Sequence, residues 1–98
     1  MDNEVFDRVV QIANDLLNKE DFELDQEARD SISHFLAHDE YEMAYEGLLI
    51  EMINSNYMPN RNEADEYLKI GQALGLDRES VFDPEFWEKL VSYLNSRN

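Results

Sequence analysis

His34 and His38 stand four residues apart, the spacing that puts two imidazoles on one helix face and the only metal-like pair in this 98-residue chain. A pair is short of a site. There is no cysteine to supply a thiolate and no H-E-x-x-H pattern, and a third ligand would have to come from a distant carboxylate such as Asp39. His38, near a helix end, reads more simply as a cation set against the negative end of the helix dipole. The calcium-loop pattern D-x-[DN]-x-[DN]-G and the glycine-rich phosphate loop are both missing despite the acid count. No metal or cofactor is expected.

Ser80, in LDRESVFD, invites comparison with the modified serine of acyl carrier proteins, which are also small, acidic and helical. That serine sits mid-chain, in an Asp-Ser-Leu setting at the start of a helix. Ser80 lies late and precedes Val81, and reads as the cap of a turn. Carboxylate pairs are too abundant to single out a general acid and base, and catalysis needs a shaped pocket that a domain of this size seldom has spare. The chain reads as a binding protein rather than an enzyme.

The carboxylates themselves carry more information. Residues 38–56, HDEYEMAYEGLLIEMINSN, hold Asp39, Glu40, Glu42, Glu46 and Glu51 without one lysine or arginine. An ordinary surface helix interleaves the two signs, because Glu to Lys pairs four apart each add a few tenths of a kcal/mol. The whole chain carries 23 acids against 8 bases, a formal charge of -15. The deficit is uneven: residues 1–30 have 10 acids and 3 bases, residues 31–58 have 5 acids and no base, and residues 59–98 have 8 acids and 5 bases. Such a charge opposes binding to nucleic acid or an anionic membrane and suits a basic partner. Solubility alone also accounts for acidity of this kind, so the position of the charge matters more than its sum.

The elements that hold these residues are helical. Val5, Phe6, Val9, Val10, Ile12, Ala13, Leu16 and Leu17 give one wide apolar stripe and predict a helix over about 3–18. Asp25 is placed to cap a second over 25–37, followed by a third over 40–55. A fourth starts after Pro59, capped by Asn60 or Asn62, and stops at Gly75. In FDPEFWEKL, Asp83 reads as a cap and Pro84 as the first helical position of a fifth helix reaching about Asn95, with Trp87, Leu90, Val91 and Leu94 inward. No stretch alternates long enough for a strand. The expected fold is an all-α bundle of about five helices in one domain, residues 1–98. The longest uninterrupted apolar run is three residues, as at Leu48–Ile50, so no membrane span is expected. MDNEVFDR places acids where a signal peptide needs bases, so a cytoplasmic, bacterial setting is expected.

On the third helix, Tyr41, Ala44, Tyr45, Leu48, Leu49 and Met52 share the core face. Glu42 and Glu46 lie opposite, among Met43, Ile50 and Ile53, with Gly47 alongside. One reading is a central helix that packs on two sides while its carboxylates escape at the rim. The other is a partner surface in which apolar contacts give affinity and acids steer a basic ligand. Glu20, Asp21, Glu23, Asp25 and Glu27 could extend that acidic surface, and Tyr57 and Met58 could add contact area to it, although a tyrosine tucked against the bundle is the simpler reading.

The stretch Ala28 to Leu90 resembles the MafI-like immunity proteins of bacterial polymorphic toxin systems, the same functional group as the immunity proteins of contact-dependent growth inhibition. ARDSISHFLAHDEYEMAYEGLLIEMI carries the likeness, with LKIGQALGLD and FWEKL after it. The family's acid-flanked H-x-E-Y/W-x-x-A-x-E-x-L pattern reads here His38, Glu40, Tyr41, Ala44, Glu46 and Leu48. The resemblance covers about two thirds of the chain, and part of its motif is helix packing. It implies a cytoplasmic protein that binds and neutralises a cognate toxin, often a nuclease.

A nuclease attracts polyphosphate through lysines and arginines, so the two lines converge on a helical binder, monomeric when free, of a basic toxin domain at 1:1. The expected contact residues are Asp39, Glu40, Glu42, Glu46 and Tyr57, with Glu23 and Asp25 secondary. A DNA-mimic regulator of a nucleic-acid-binding protein and a small structural or adaptor subunit are the rival readings.

Overall fold

Two short polar residues open helices by the same device. Asp25 accepts the Ala28 N–H at 2.8 Å, and Asn60 exchanges bonds with Glu63 in a full capping box. Each satisfies donors that a helix N-terminus leaves unpaired. The structure, a computed structural model, describes residues 4–96. Its elements are α1 (Glu4–Leu17), α2 (Gln26–Ala37), α3 (Tyr41–Asn54), α4 (Arg61–Ala73) and α5 (Phe86–Leu94). Among the described residues there is no strand, so the chain is an all-α bundle of five helices. The start expected for the first helix at residue 3, and residues 1–3 and 97–98 of the expected domain, lie outside the described residues.

The first four helices fall within a residue or so of their sequence-based bounds. Gly75 takes the left-handed φ of 82° after α4, as a terminating glycine does. The fifth differs. Asp83, Pro84 and Glu85 form a turn, in which the Asp83 carboxylate accepts the Glu85 N–H at 2.9 Å, and the helix begins only at Phe86. Pro84 is therefore not the first helical residue. The later start also turns Phe86 inward beside Leu90 and Leu94, while Trp87 and Val91 are only half-buried.

Helix α3 is the axis of the molecule. It packs against α1, α2 and α5, and α1 also packs against α4. Val9, Leu16, Leu48, Leu49, Met52 and Leu90 are fully buried between these helices. Burial stabilises each by about 1.5–3 kcal/mol relative to exposure. The Tyr45 hydroxyl, also buried, donates to the Tyr67 carbonyl at 2.8 Å and so ties α3 to α4. Arg8 joins α1 to α4 through a two-pronged pairing with Glu66, its Nε donating to Oε2 at 2.7 Å. One close approach, at Gly71, depends on glycine in a helix. A Cβ on Gly71 would lie 2.6 Å from the Trp87 ring, whereas one on Gly47 would meet the Phe82 ring at an ordinary 3.8 Å.

Candidate functional site

A helix apolar nearly all round is buried nearly all round, and any carboxylate on it then needs donors. Glu46 is such a carboxylate, with 0% of its surface exposed. Its Oε1 accepts the Val81 N–H at 2.7 Å, and its Oε2 accepts those of Phe82 and Asp83 at 2.8 and 3.0 Å. Three successive backbone donors around one anion form a concave nest. Glu46 thus leaves the set of expected contact acids: it is a clasp on the α4–α5 loop, not part of an outward face. The loop's far side is held by Asp83, whose other oxygen accepts from Lys89 Nζ at 2.8 Å. That bond, with the Glu85 N–H, holds the Asp83 carboxyl below its ordinary range.

The clasp fixes where Phe82 goes. With its backbone tied to α3, its ring lies over Gly47 and 5.9 Å from the Phe35 ring. Phe82 is nevertheless 48% exposed and Val81 43%, and they are the exposed large hydrophobics of the described residues. Large exposed apolar side chains beside a concavity mark contact surface more often than isolated ones do.

That concavity is a groove of about 330 Å³ between α2 and α3, lined by Asp25, Glu27, Ala28, Ser31, Ile32, Phe35, Gly47, Glu51 and Phe82. Its two ends differ in chemistry. The helices run antiparallel, so Phe35 near the end of α2 shares a level with Gly47, and there Phe82 closes the groove. Two to nearly three turns back along α2, about 10–15 Å at 1.5 Å per residue, Ala28, Glu27 and Asp25 line the groove together with Glu51, one turn further along α3. One end is aromatic and the other anionic. Among the described residues no lysine or arginine lines the groove. Arg29, the one guanidinium of α2, is committed elsewhere, donating to the Leu17 carbonyl at 2.8 Å. The outer face of α2 continues the acid surface through Asp30, beside His34.

The remaining residues expected from sequence do not form one cluster. Asp39 is exposed, takes a left-handed φ of 58° between α2 and α3, and accepts from the Tyr41 hydroxyl at 3.0 Å. Glu40 is half-buried at the N-cap of α3. Glu42 is exposed and shares a second hollow with Arg78, Glu79, Ser80 and Val81. Tyr57 is half-buried at the other end of α3, its ring tilted against Phe22 at 5.7 Å and its carbonyl accepting from the Tyr93 hydroxyl. Burial raises its pKa, as packing rather than free presentation would. Glu23 is exposed in the α1–α2 connection. Asp25 alone of the seven lines the groove, where one oxygen also caps α2.

Sequence reasoning missed Phe35, Gly47, Glu51 and Phe82 as one site. Gly47 beside acids was a usable signal, since a helical glycine without a bend leaves space against a neighbour. The His34 and His38 rings tilt against each other with centroids 4.3 Å apart, but among the described residues no three His, Asp or Glu side chains are grouped to hold a metal ion. No helix of the described residues is long and apolar enough to cross a membrane. The chain matches no family model, and no curated protein or solved structure is detectably similar to it.

Proposed function

We propose that this chain is a cytoplasmic immunity protein that binds a basic bacterial toxin domain noncovalently, one to one, and blocks its active surface. The toxin domain is a nuclease in this reading. The observation that carries it is the groove between α2 and α3, with exposed Phe82 at one end, Asp25, Glu27 and Glu51 at the other, and no base among the described residues that line it. Apolar contact supplies affinity in such a surface, while the acids steer a basic partner and exclude nucleic acid. The net charge of -15 points the same way, and the MafI-like immunity proteins are the family this reading proposes.

Size sets a further requirement. A standard interface covers roughly 800 Å² per partner, about an eighth of this chain's 6127 Å². The groove is too small to supply that alone, so the outer face of α2 and the surface around Glu42 belong to the contact in this reading. Steered association reaches about 10⁸–10⁹ M⁻¹s⁻¹ at low salt, which suits a protein that must trap a toxin before it cleaves.

The test is isolation of the chain from its native host and identification of what copurifies, repeated at about 0.5 M salt to weaken exposed charge contacts. A stoichiometric, salt-resistant toxin domain whose activity the chain suppresses is the expected result. A host DNA-binding protein would replace this reading with a DNA mimic. Stable homo-oligomers or a larger host assembly would replace it with a structural subunit.

A further inference from the structure

We infer that the α2–α3 groove takes a short partner segment that sets one apolar side chain, aromatic or branched, against Phe35 and Phe82 and places an arginine or lysine about 6–15 Å away among Glu51, Glu27 and Asp25. This rests on the reading that the partner is a basic protein, and it specifies the chemistry of the segment that the partner must present.

The two ends of the groove dictate the two halves of the segment. At the aromatic end, the Phe82 ring lies over the side-chain-free Gly47 and beside Phe35, with almost half of its surface exposed. An apolar side chain laid there removes that surface from water and gains ring contacts. At the other end three carboxylates line the groove, with no lysine or arginine among the described residues that line it. A guanidinium suits this end best, because it can serve two carboxylates through one planar fork. The 6–15 Å separation is about one to three turns of helix, or two to five residues of extended chain, so one short segment spans both ends.

The aromatic end is built, not incidental. An exposed phenylalanine on a free loop would fold back or average its position. Here three N–H donors of residues 81–83 converge on the buried Glu46 carboxylate, and the Asp83–Lys89 pair anchors the loop's exit. Glu46 is a positioning residue for Phe82, which meets the ligand in an orientation already fixed. Preorganisation of this kind removes part of the ordering cost of binding.

The test uses the isolated chain and three blocked peptides, followed by NMR: acetyl-Arg-Arg-Ala-Phe-Ala-amide, a counterpart with serine in place of phenylalanine, and one with glutamates in place of both arginines. The first is expected to give saturable shifts at Ile32, Phe35, Gly47, Glu51 and Phe82, and each counterpart to bind at least about tenfold more weakly, the loss usual for removing a central anchor. Phe82→Ala, an exposed position that leaves the core intact, and Gly47→Leu, which fills the groove without changing any charge, are each expected to weaken the first peptide about tenfold. Equal binding of the serine peptide, with shifts spread over all the acidic faces, would overturn the groove while leaving the basic-partner reading to the copurification experiment. Absence of shifts at the groove with all three peptides would overturn the inference as well. A basic toxin domain that copurifies but protects a surface remote from Phe82 would overturn it and leave the function standing.

Discussion

The carboxylate of Glu46 holds the backbone of Phe82, Oε2 to N at 2.8 Å, across 36 residues of sequence, and so converts an acid on a central helix into the fastening of a surface loop. Glu46→Gln retains the shape but turns one accepting oxygen into an amide that faces N–H donors. The expected loss is about 2–3 kcal/mol of unfolding free energy, since bonds to a charged acceptor each carry about 1.5–3 kcal/mol and an orphaned buried donor adds its own penalty. Urea unfolding followed by circular dichroism reads the loss. A change below about 0.5 kcal/mol would mean that the clasp does not hold the loop.

The two helical glycines should respond oppositely to alanine. Gly47→Ala meets Phe82 at ordinary contact distance and gains helix propensity, so it is expected to stabilise by up to about 1 kcal/mol. Gly71→Ala drives a methyl into the Trp87 ring and should destabilise by about 1–3 kcal/mol, with a shift in tryptophan fluorescence, because the chain has one tryptophan to report it. Thermal unfolding of the pair gives both signs in one experiment.

Alkaline pH should unfold the protein. Burial raises the pKa of Tyr45 and Tyr67, and the other three tyrosines are raised as well, Tyr41 chiefly by its bond to Asp39 and Tyr57 and Tyr93 by burial. The unfolded chain then releases phenolic protons near pH 10, before the folded chain does. The folded state binds more protons there, so stability is fully present below about pH 10 and falls as pH rises through the folded values. Tyrosinate absorbance should rise in one step that coincides with loss of helix for Tyr45 and Tyr67. Ionisation of all five tyrosines with helicity intact would contradict the burial described.

Much of the fold was legible because amphipathic spacing and caps are local. Val9, Ile12 and Leu16 announce α1, and Asp25 and Asn60 mark two helix starts within a residue. The start of α5 was not, since Asp83 and Pro84 serve equally well in a cap or a turn and the choice is made by Glu46, far away in sequence. The same distance hid the site. Glu46 among Met43, Ile50 and Ile53 looks like an acid escaping from an apolar helix, and only the packing of the α4–α5 loop supplies its three donors. Glu51 and Asp25 read as surface charge, while the groove between them exists only once α2 and α3 are side by side.

Charge reversal separates the exposed acids from the buried one. Glu27→Lys, Glu42→Lys and Glu51→Lys together should leave the helical content and unfolding transition near those of the parent, because none of the three is fully buried. The most direct measurement takes the toxin domain that copurifies and compares how the parent and this triple variant inhibit its activity at about 0.05 and 0.15 M salt. The parent is expected to inhibit stoichiometrically, the variant to associate at least about tenfold more slowly at the lower salt, and the gap to narrow as salt rises. Equal inhibition by parent and variant at both salts would contradict the claim that this acidic face captures a basic partner.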